Sequence, residues 1–407
     1  MSSIPDPDDP LADWIALSLI PGLGPILTRN LVNHFGSPGA VRRATESELL
    51  QVDGIGEKTA ALFVRALQIV DPATEMQLMQ QHGVRVIVYG SPEYPQRLTQ
   101  IANPPMLLYV RGTILPEDSQ SVAVIGSRQC TAYGRKVAER LSYDLGQAGY
   151  TVISGLARGI DACAHRGALS AKGRTLAVLA GGLAKIYPPE HRDLADEVAA
   201  SGALITESPM RMQPEAGLFP SRNRLISGLV RGVVVVEANE RSGTMTTVSH
   251  AAEQGREVFA IPGEVTRVES SGCHLLIRKG VRLIRGIDDL LEDLQGVDPP
   301  PPVTPPALDA TRPRGKRSAP VKSPANPSSP TPTPPLGPPP VAAPMLPSGP
   351  PLDPELQAIV DLLGQPQSVD DLVRQLKRSV SELARQLMQL EMKKRVRRLP
   401  GNLYERR

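Results

Sequence analysis

Residues 121–168 read SVAVIGSRQCTAYGRKVAERLSYDLGQAGYTVISGLARGIDACAHRGA. A short apolar run, Val122 to Ile125, stops at Gly126-Ser127-Arg128, and an amphipathic helical stretch follows. A second run, Thr151-Val152-Ile153, stops as abruptly at Ser154-Gly155-Leu156-Ala157-Arg158-Gly159-Ile160-Asp161. This is strand, glycine-containing turn and helix, written twice. In an open parallel sheet such turns lie at the carboxyl ends of the strands, where ligands bind. Helix amino-termini there offer free N–H groups and a positive dipole end to an anion. One glycine turn can be a turn and nothing more. Two on one rim, each with Ser and Arg, favour phosphate.

Working outward, the alternation continues to about residue 294. Strands are expected at 122–125, 150–153, 175–179, 203–206, 232–236, 257–261 and 281–284. Helices are expected near 131–147, 159–171, 190–200, 221–230, 244–254 and 272–279. Apolar runs of four or five residues with helices between them are buried parallel strands of a layered α/β fold. Neither GxGxxG after the first strand nor GxxxxGK[ST] is present, so dinucleotide binding and ATP hydrolysis lose support. The expected rim collects Gly126, Ser127, Arg128, Ser154, Gly155 and Arg158. It continues through Ala180-Gly181-Gly182 to Lys185 and Tyr187, then Phe219 to Arg224, then Glu237 and Ser242-Gly243-Thr244. Backbone N–H groups of these turns are the expected phosphate cradles. Arg222, Asn223 and Arg224 begin the expected helix 221–230, where cations oppose its dipole. Tyr187 and Phe219 are candidates for stacking on single-stranded bases, or equally for core.

The flanks read differently. Residues 11–70 repeat helix, apolar-Gly-apolar-Gly turn, helix: Leu19 to Gly24 before ILTRNLVNHF, then Leu49 to Gly56 before EKTAALFVRAL. These resemble tandem helix-hairpin-helix motifs, whose turns approach DNA phosphates without reading sequence; a purely structural helical domain reads the same way. Residues 73–120 lead into the main sheet through strands near 84–89 and 106–110. Residues 296–353 are a proline-rich tether, expected to be extended, with basic residues Arg312, Arg314, Lys316, Arg317 and Lys322. The last 54 residues read as three helical stretches and a hairpin, a winged-helix pattern. Ser379 caps its third helix, which carries Glu382, Arg385 and Glu391, and Lys393, Lys394, Arg395, Arg397 and Arg398 follow. The expected domains are 1–72, 73–297, 298–353 and 354–407.

At 407 residues the chain is long enough for several domains, with a central core that needs no staples. Net charge is +3. The two carboxyl-terminal segments carry the excess, so an anion site in the main body has to be a local patch. Cys130, Cys163 and Cys273 are odd in number and lack C-x-x-C spacing, which fits a reducing compartment and no metal ribbon. The acidic opening MSSIPDPDDP shows no signal peptide, and no apolar run is long enough to span a bilayer. A cytoplasmic protein without cofactor or membrane partner is expected.

In order, GSRQCTAYG, SGLARGIDACAHRGAL, LAVLAGGLAKIYPPEH, FPSRNRLISGL, VVEANERSGTMTT, AAEQGREVFAIPG and SGCHLLIRKG resemble the DNA-processing protein A (DprA/Smf) family. The resemblance is close over roughly residues 85–295. It implies a Rossmann-like, non-enzymatic protein that binds single-stranded DNA, forms a homodimer and helps load a RecA-type recombinase, as in natural transformation. It puts phosphate contacts at Ser127, Arg128, Ser154, Gly155, Arg222 to Arg224 and near Gly243-Thr244, and self-association at His274, Ile277 and Leu283. The family usually has Lys and then Asn after Tyr-Pro, where this chain has Pro189 and His191; that basic contact is either lost or replaced by Lys185 or Arg192. The AGG turn also stands where Gly-Cys-Gly or Gly-Thr-Gly is commoner. The competing reading is a nucleoside-monophosphate hydrolase on a related sheet. Against it, Arg241-Ser242-Gly243-Thr244 lacks the paired glycine of that family's turn, and no nucleophile, base and orienting group are grouped. Asp161 and Glu237 are expected to cap a helix or orient an arginine.

Overall fold

The computed structural model describes residues 10–295 and most of 354–406. The chain forms two compact units, Met1–Lys316 and Arg317–Arg407.

The first unit opens with six helices: α1 (Pro10–Ser18), α2 (Pro25–Phe35), α3 (Pro38–Arg42), α4 (Glu46–Leu49), α5 (Glu57–Ile69) and α6 (Pro72–Gln81). Their starts are written in sequence. Ser37 caps α3, Thr45 and Glu48 form a reciprocal capping box on α4, and Asp71 caps α6. By contrast α2 and α5 follow Gly24 and Gly56 with no side-chain cap, at the two apolar-Gly-apolar-Gly turns. Trp14, Leu17, Leu31, Val32, Leu49 and Phe63 form this domain's core, which continues onto Met106 and Leu107 of the next domain. Ser18 Oγ lies 2.9 Å from the buried Tyr109 hydroxyl, so the two domains share a polar contact as well as an apolar one.

The sheet comprises β1 (Val84–Val88), β2 (Leu107–Gly112), β3 (Ser121–Ile125), β4 (Thr151–Ser154), β5 (Thr175–Val178), β6 (Ala203–Thr206), β7 (Gly232–Val235), β8 (Glu257–Ala260) and β9 (Arg282–Leu283). Its order is β1-β2-β6-β5-β4-β3-β7-β8-β9. From β6 to β9 every neighbouring pair is parallel, while β1 and β2 add an antiparallel edge. The alternation anticipated a mostly parallel sheet, and that is its architecture. Connecting helices are α7 (Ala132–Gln147), α8 (Ile160–Ser170), α9 (Arg192–Ser201), α10 (Leu218–Leu229), α11 (Thr244–Glu253), α12 (Val268–Arg278) and α13 (Ile287–Gln295). β3 to β7 are buried at every position, which is why they read as apolar runs rather than alternating ones. One face packs α7, α8 and α13 through Leu141, Leu145, Ala164 and Leu294; the other packs α10, α11 and α12 through Leu225, Leu229, Val248 and Leu276.

Two helix starts differ from expectation by three residues or more. Helix α10 starts at Leu218, three residues earlier than expected, so Arg222 stands in its second turn and the argument from an unfavourable helix dipole loses its force. Helix α12 starts at Val268, four residues early, because the Ser-Ser-Gly run that reads as loop is covered by neighbouring structure: Gly272 N donates to Ala238 O at 2.8 Å.

The second unit contains α14 (Pro354–Leu362), β10 (Gln367–Ser368), α15 (Val369–Leu376), β11 (Val396–Leu399) and β12 (Leu403–Arg406). Its three strands pair in the order β10-β12-β11. Leu383, Leu387 and Leu390 are helical and join Leu356, Ile359 and Leu372 in its core. Arg397 is paired with Glu405 across the hairpin, which reduces the free positive charge expected there. The tether with Arg312, Arg314, Lys316, Arg317 and Lys322 lies outside the described residues, as do Ser379, Glu382, Arg385, Glu391, Lys393 and Lys394.

Candidate nucleic-acid interface

The crevice where a Rossmann sheet usually takes a dinucleotide is filled by the protein itself. It lies between β3 and β7, where successive connections leave on opposite sides. Ser127 N donates to Glu237 O at 2.7 Å, tying the two strand ends together. The Glu237 carboxylate then accepts from Thr131 N at 2.9 Å and from Thr131 Oγ1 at 2.5 Å. An internal carboxylate therefore occupies the start of α7, the position a pyrophosphate would take.

The open pocket is displaced one strand along, over the ends of β4 and β5. Arg128, Arg158, Gly181, Gly182, Lys185, Tyr187, Pro214, Phe219 and Arg222 line it, with Gly155 and Ala157 beneath. Its enclosed volume is only about 20 Å³, well below the ~300 Å³ of a typical small-molecule site. Arg128 and Arg158 meet because the two glycine turns touch. Ile160 N donates to Ser127 O at 3.1 Å, and a Cβ on Gly159 (φ +76°) would stand 2.2 Å from that same oxygen. The Arg128 guanidinium lies 4.8 Å over the centre of the Phe219 ring. Tyr187 meets Phe219 edge to face, with centres 6.4 Å apart, and is 43% exposed. Phe219 is thus a half-buried rim residue and not core filler.

The expected backbone cradles around this pocket are already occupied. Ser127 N serves Glu237, Gly155 N and Ala157 N both serve the Asp161 carboxylate, and Gly182 N serves Met212 O. The Ser127 hydroxyl accepts from Gln129 N within its own turn. Ser154 is fully buried and its hydroxyl donates to Val124 O, so it faces the sheet and not the rim. Gly126 lies behind the turn, where a Cβ would meet Glu237 O at 2.7 Å. Binding chemistry at this pocket therefore falls to exposed side chains, chiefly Arg128, Lys185 and the two rings.

Arg222 lines the floor of the pocket but is itself buried. It is 6% exposed, and its Nη1 donates to Gly155 O at 2.7 Å and Val178 O at 2.5 Å. Asp161 lies on the same side of Gly155: a Cβ there would come within 2.4 Å of Arg222 Nη1 and 2.7 Å of Asp161 Oδ2. Burial pushes the Asp161 carboxyl up, opposed by Arg222, and burial lowers Arg222 to about 10. Arg222 stays charged at neutral pH and is the cation that opposes the desolvation of Asp161. Arg224 is likewise committed, to Glu207 and to Asn103 O at 2.5 Å. Asn223 donates weakly to Gly243 O at 3.4 Å, joining α10 to the start of α11. Ser242, Gly243 and Thr244 stand at that helix start and are not among the residues that line the pocket. Arg158 pairs with Glu190 at 2.5 Å. His191 is buried, with Nδ1 2.8 Å from Leu156 O. Of the two candidates for the missing basic contact, Lys185 lines the pocket and Arg192 does not.

His165 lies in the core near this base. Thr175 Oγ1 donates to Val152 O, so at its 2.7 Å contact with His165 Nδ1 it accepts, and the ring carries its proton on Nδ1. Nε2 is buried without a partner. Burial, with His191 and Arg222 adding repulsion, lowers the pKa from 6.5 to about 3. The unfolded chain therefore binds this proton first as pH falls. Stability contributed by the neutral ring is complete above about pH 6.5 and is lost progressively towards pH 3, at up to about 1.4 kcal/mol per unit. His165→Gln should flatten the dependence of unfolding free energy on pH in that window relative to wild type. Parallel curves in urea titrations at pH 7, 5.5 and 4 would count against the assignment.

Fold and pocket define a class: a Rossmann-like protein that presents cations and aromatic rings at its strand ends in place of a dinucleotide crevice. Residues 85–295 match the model of the DNA recombination-mediator protein A family, and the chain belongs to that family. Residues 15–68 match a SAM-like helix-hairpin-helix tandem and residues 341–402 the DprA winged helix domain. Protein Smf of Synechocystis is 37% identical over 290 residues, covering 70% of this chain and 73% of that protein. DNA processing protein DprA of Bacillus subtilis is 40% identical over 216 residues, 53% of this chain and 73% of its own length. The crystal structure of DNA processing protein A from Streptococcus pneumoniae superposes with a TM-score of 0.62 at 32% identity, covering 69% of this chain and 97% of that one. No helix among the described residues is long and apolar enough to cross a membrane, and they contain no cluster of potential metal ligands.

Proposed function

We propose that this protein binds single-stranded DNA without catalysis, protects processed or incoming strands, and helps load a RecA-type recombinase on them. The observation that carries the reading is the exposed group of Arg128 stacked on Phe219, with Tyr187 and Lys185 beside it. Cations next to accessible rings suit a strand whose phosphates and bases are both presented, with little sequence preference. Membership of a recombination-mediator family supports the step from DNA binding to recombinase loading. The setting in this reading is cytoplasmic, consistent with three free cysteines. Homodimerisation would use the β9 edge of the sheet, where Leu283 is 44% exposed and His274 and Ile277 of α12 are half-buried beside it. Hydrolysis of a nucleotide gains no support, because the Asp161 and Glu237 carboxylates both already accept from backbone N–H groups within the fold.

The test is fluorescence anisotropy with labelled oligo-dT and a duplex of equal length. Oligo-dT should bind at least tenfold more tightly, and log affinity should fall linearly with log salt, by ~0.7 per phosphate contact. Preference for duplex, or affinity independent of salt, would overturn the reading.

A further inference from the structure

A second basic pocket opens beside the first, on the other side of Arg128 and Arg158. Its volume is about 210 Å³, and Arg128, Arg135, Arg158 and Arg166 all line it, with Cys130, Cys163 and His191 also at its walls. The four arginines come from different elements: the turn after β3, the first turn of α7, the turn before α8, and α8 itself. No carboxylate lines the pocket. The acids that act on its lining residues are Glu190, engaged with Arg158, Glu139, which neighbours Cys163, and Glu237, which neighbours Cys130 and is held by Thr131. Nor do the thiols supply the missing negative charge. Burial pushes Cys130 up and Cys163 up to about 12, so both remain protonated beside the guanidiniums. Arg135 sits in the first turn of a helix that has no acidic residue there, where its charge works against the dipole. Arg135, Arg158 and Arg166 are exposed, and Arg135 donates to Cys130 O at 3.1 Å, which holds its head at the pocket wall. With only Arg158 offset by a carboxylate among the described residues, the other three guanidiniums repel one another, and an anion relieves that repulsion.

We infer that this pocket is a second phosphate subsite, in which Arg135 and Arg166 receive the backbone of the strand after it passes Arg128. The inference rests on the single-strand reading above and extends it. The two pockets share Arg128 and Arg158, so one strand can follow both without leaving basic surface. Arg135 and Arg166 take no part in the first pocket, which separates the two experimentally.

The experiment compares wild type with Arg135→Ala/Arg166→Ala on dT4, dT20 and dTMP. Both side chains are on the surface, and unchanged urea midpoints check that the fold is kept. For dT20 the double variant should bind about tenfold more weakly, with a salt slope lower by ~1.4 for two lost contacts. For dT4, which the first pocket can satisfy, affinity should change less than twofold. Equal loss on dT4 and dT20 would show a diffuse field and overturn the subsite, as would no loss on either. Tight dTMP binding abolished by the variant would assign the pocket to a free nucleotide and overturn the strand path. Wild type failing to bind dT20 at all would instead remove the single-strand reading itself.

Discussion

Arg222→Ala is expected to lower the stability of the main domain by about 3–5 kcal/mol, because it strands a buried charge. Removing the guanidinium takes away the cation that opposes desolvation of the buried Asp161 carboxyl, and frees the carbonyls of Gly155 and Val178. Urea unfolding should show a large fall in midpoint with little change in slope. Because the penalty belongs to the orphaned acid, Arg222→Met/Asp161→Asn should recover part of what Arg222→Ala loses. A surface phosphate contact behaves in the opposite way: its removal leaves stability within about 0.5 kcal/mol and weakens binding. A midpoint unchanged in Arg222→Ala would show that the residue faces the strand after all. The consequence for binding studies is practical. Any loss of DNA affinity in an Arg222 variant has to be corrected for unfolded protein before it is ascribed to contact.

Arg128→Ala should give the largest loss of single-strand affinity of any single rim substitution, roughly 10- to 30-fold, or about 1.4–2 kcal/mol. The residue is exposed, no carboxylate among the described residues is paired with it, and the Phe219 face holds its guanidinium in place. That contact restricts the side chain before DNA arrives, so less freedom is lost on binding. Loss of its phosphate contact should reduce the salt slope by ~0.7. Phe219→Ala should weaken binding by about 1 kcal/mol, the low end of what base stacking contributes because the ring is half-buried, with a salt slope close to wild type. Arg158→Ala should cost less than Arg128→Ala, because Glu190 already offsets its charge. Anisotropy titrations at two salt concentrations give all three values. An Arg158 effect equal to or larger than the Arg128 effect would contradict the ranking.

These ranks depend on contacts between segments far apart in the chain. The chain's alternation of four- and five-residue apolar runs with amphipathic helices was enough for the layered parallel sheet, since a strand buried on both faces has no other composition open to it. The glycine-bounded turns placed the rim at the strand ends. Repeated apolar-Gly-apolar-Gly turns and the closing hairpin marked the flanking domains, and seven ordered motifs carried the family. These are local signals, set by periodicity and backbone freedom within a few residues.

Which rim residues face a ligand was not legible in that way. Arg128 and Arg222 look alike in sequence, each a basic residue beside a small polar one near a helix start. One lies on an aromatic face in solvent, and the other is enclosed by Asp161, Gly155 and Val178, which come from two other turns and a strand end. Glu237 gave no sign that it would occupy the start of α7, because its partner Thr131 is more than a hundred residues away. Nor could the glycine turns disclose that their N–H groups were already bonded to Glu237, Asp161 and Met212. Local sequence fixes where a turn falls and which side chains it carries. Whether a donor or a charge is left for a ligand depends on what else the fold brings within about 3 Å of it, and only the tertiary structure decides that.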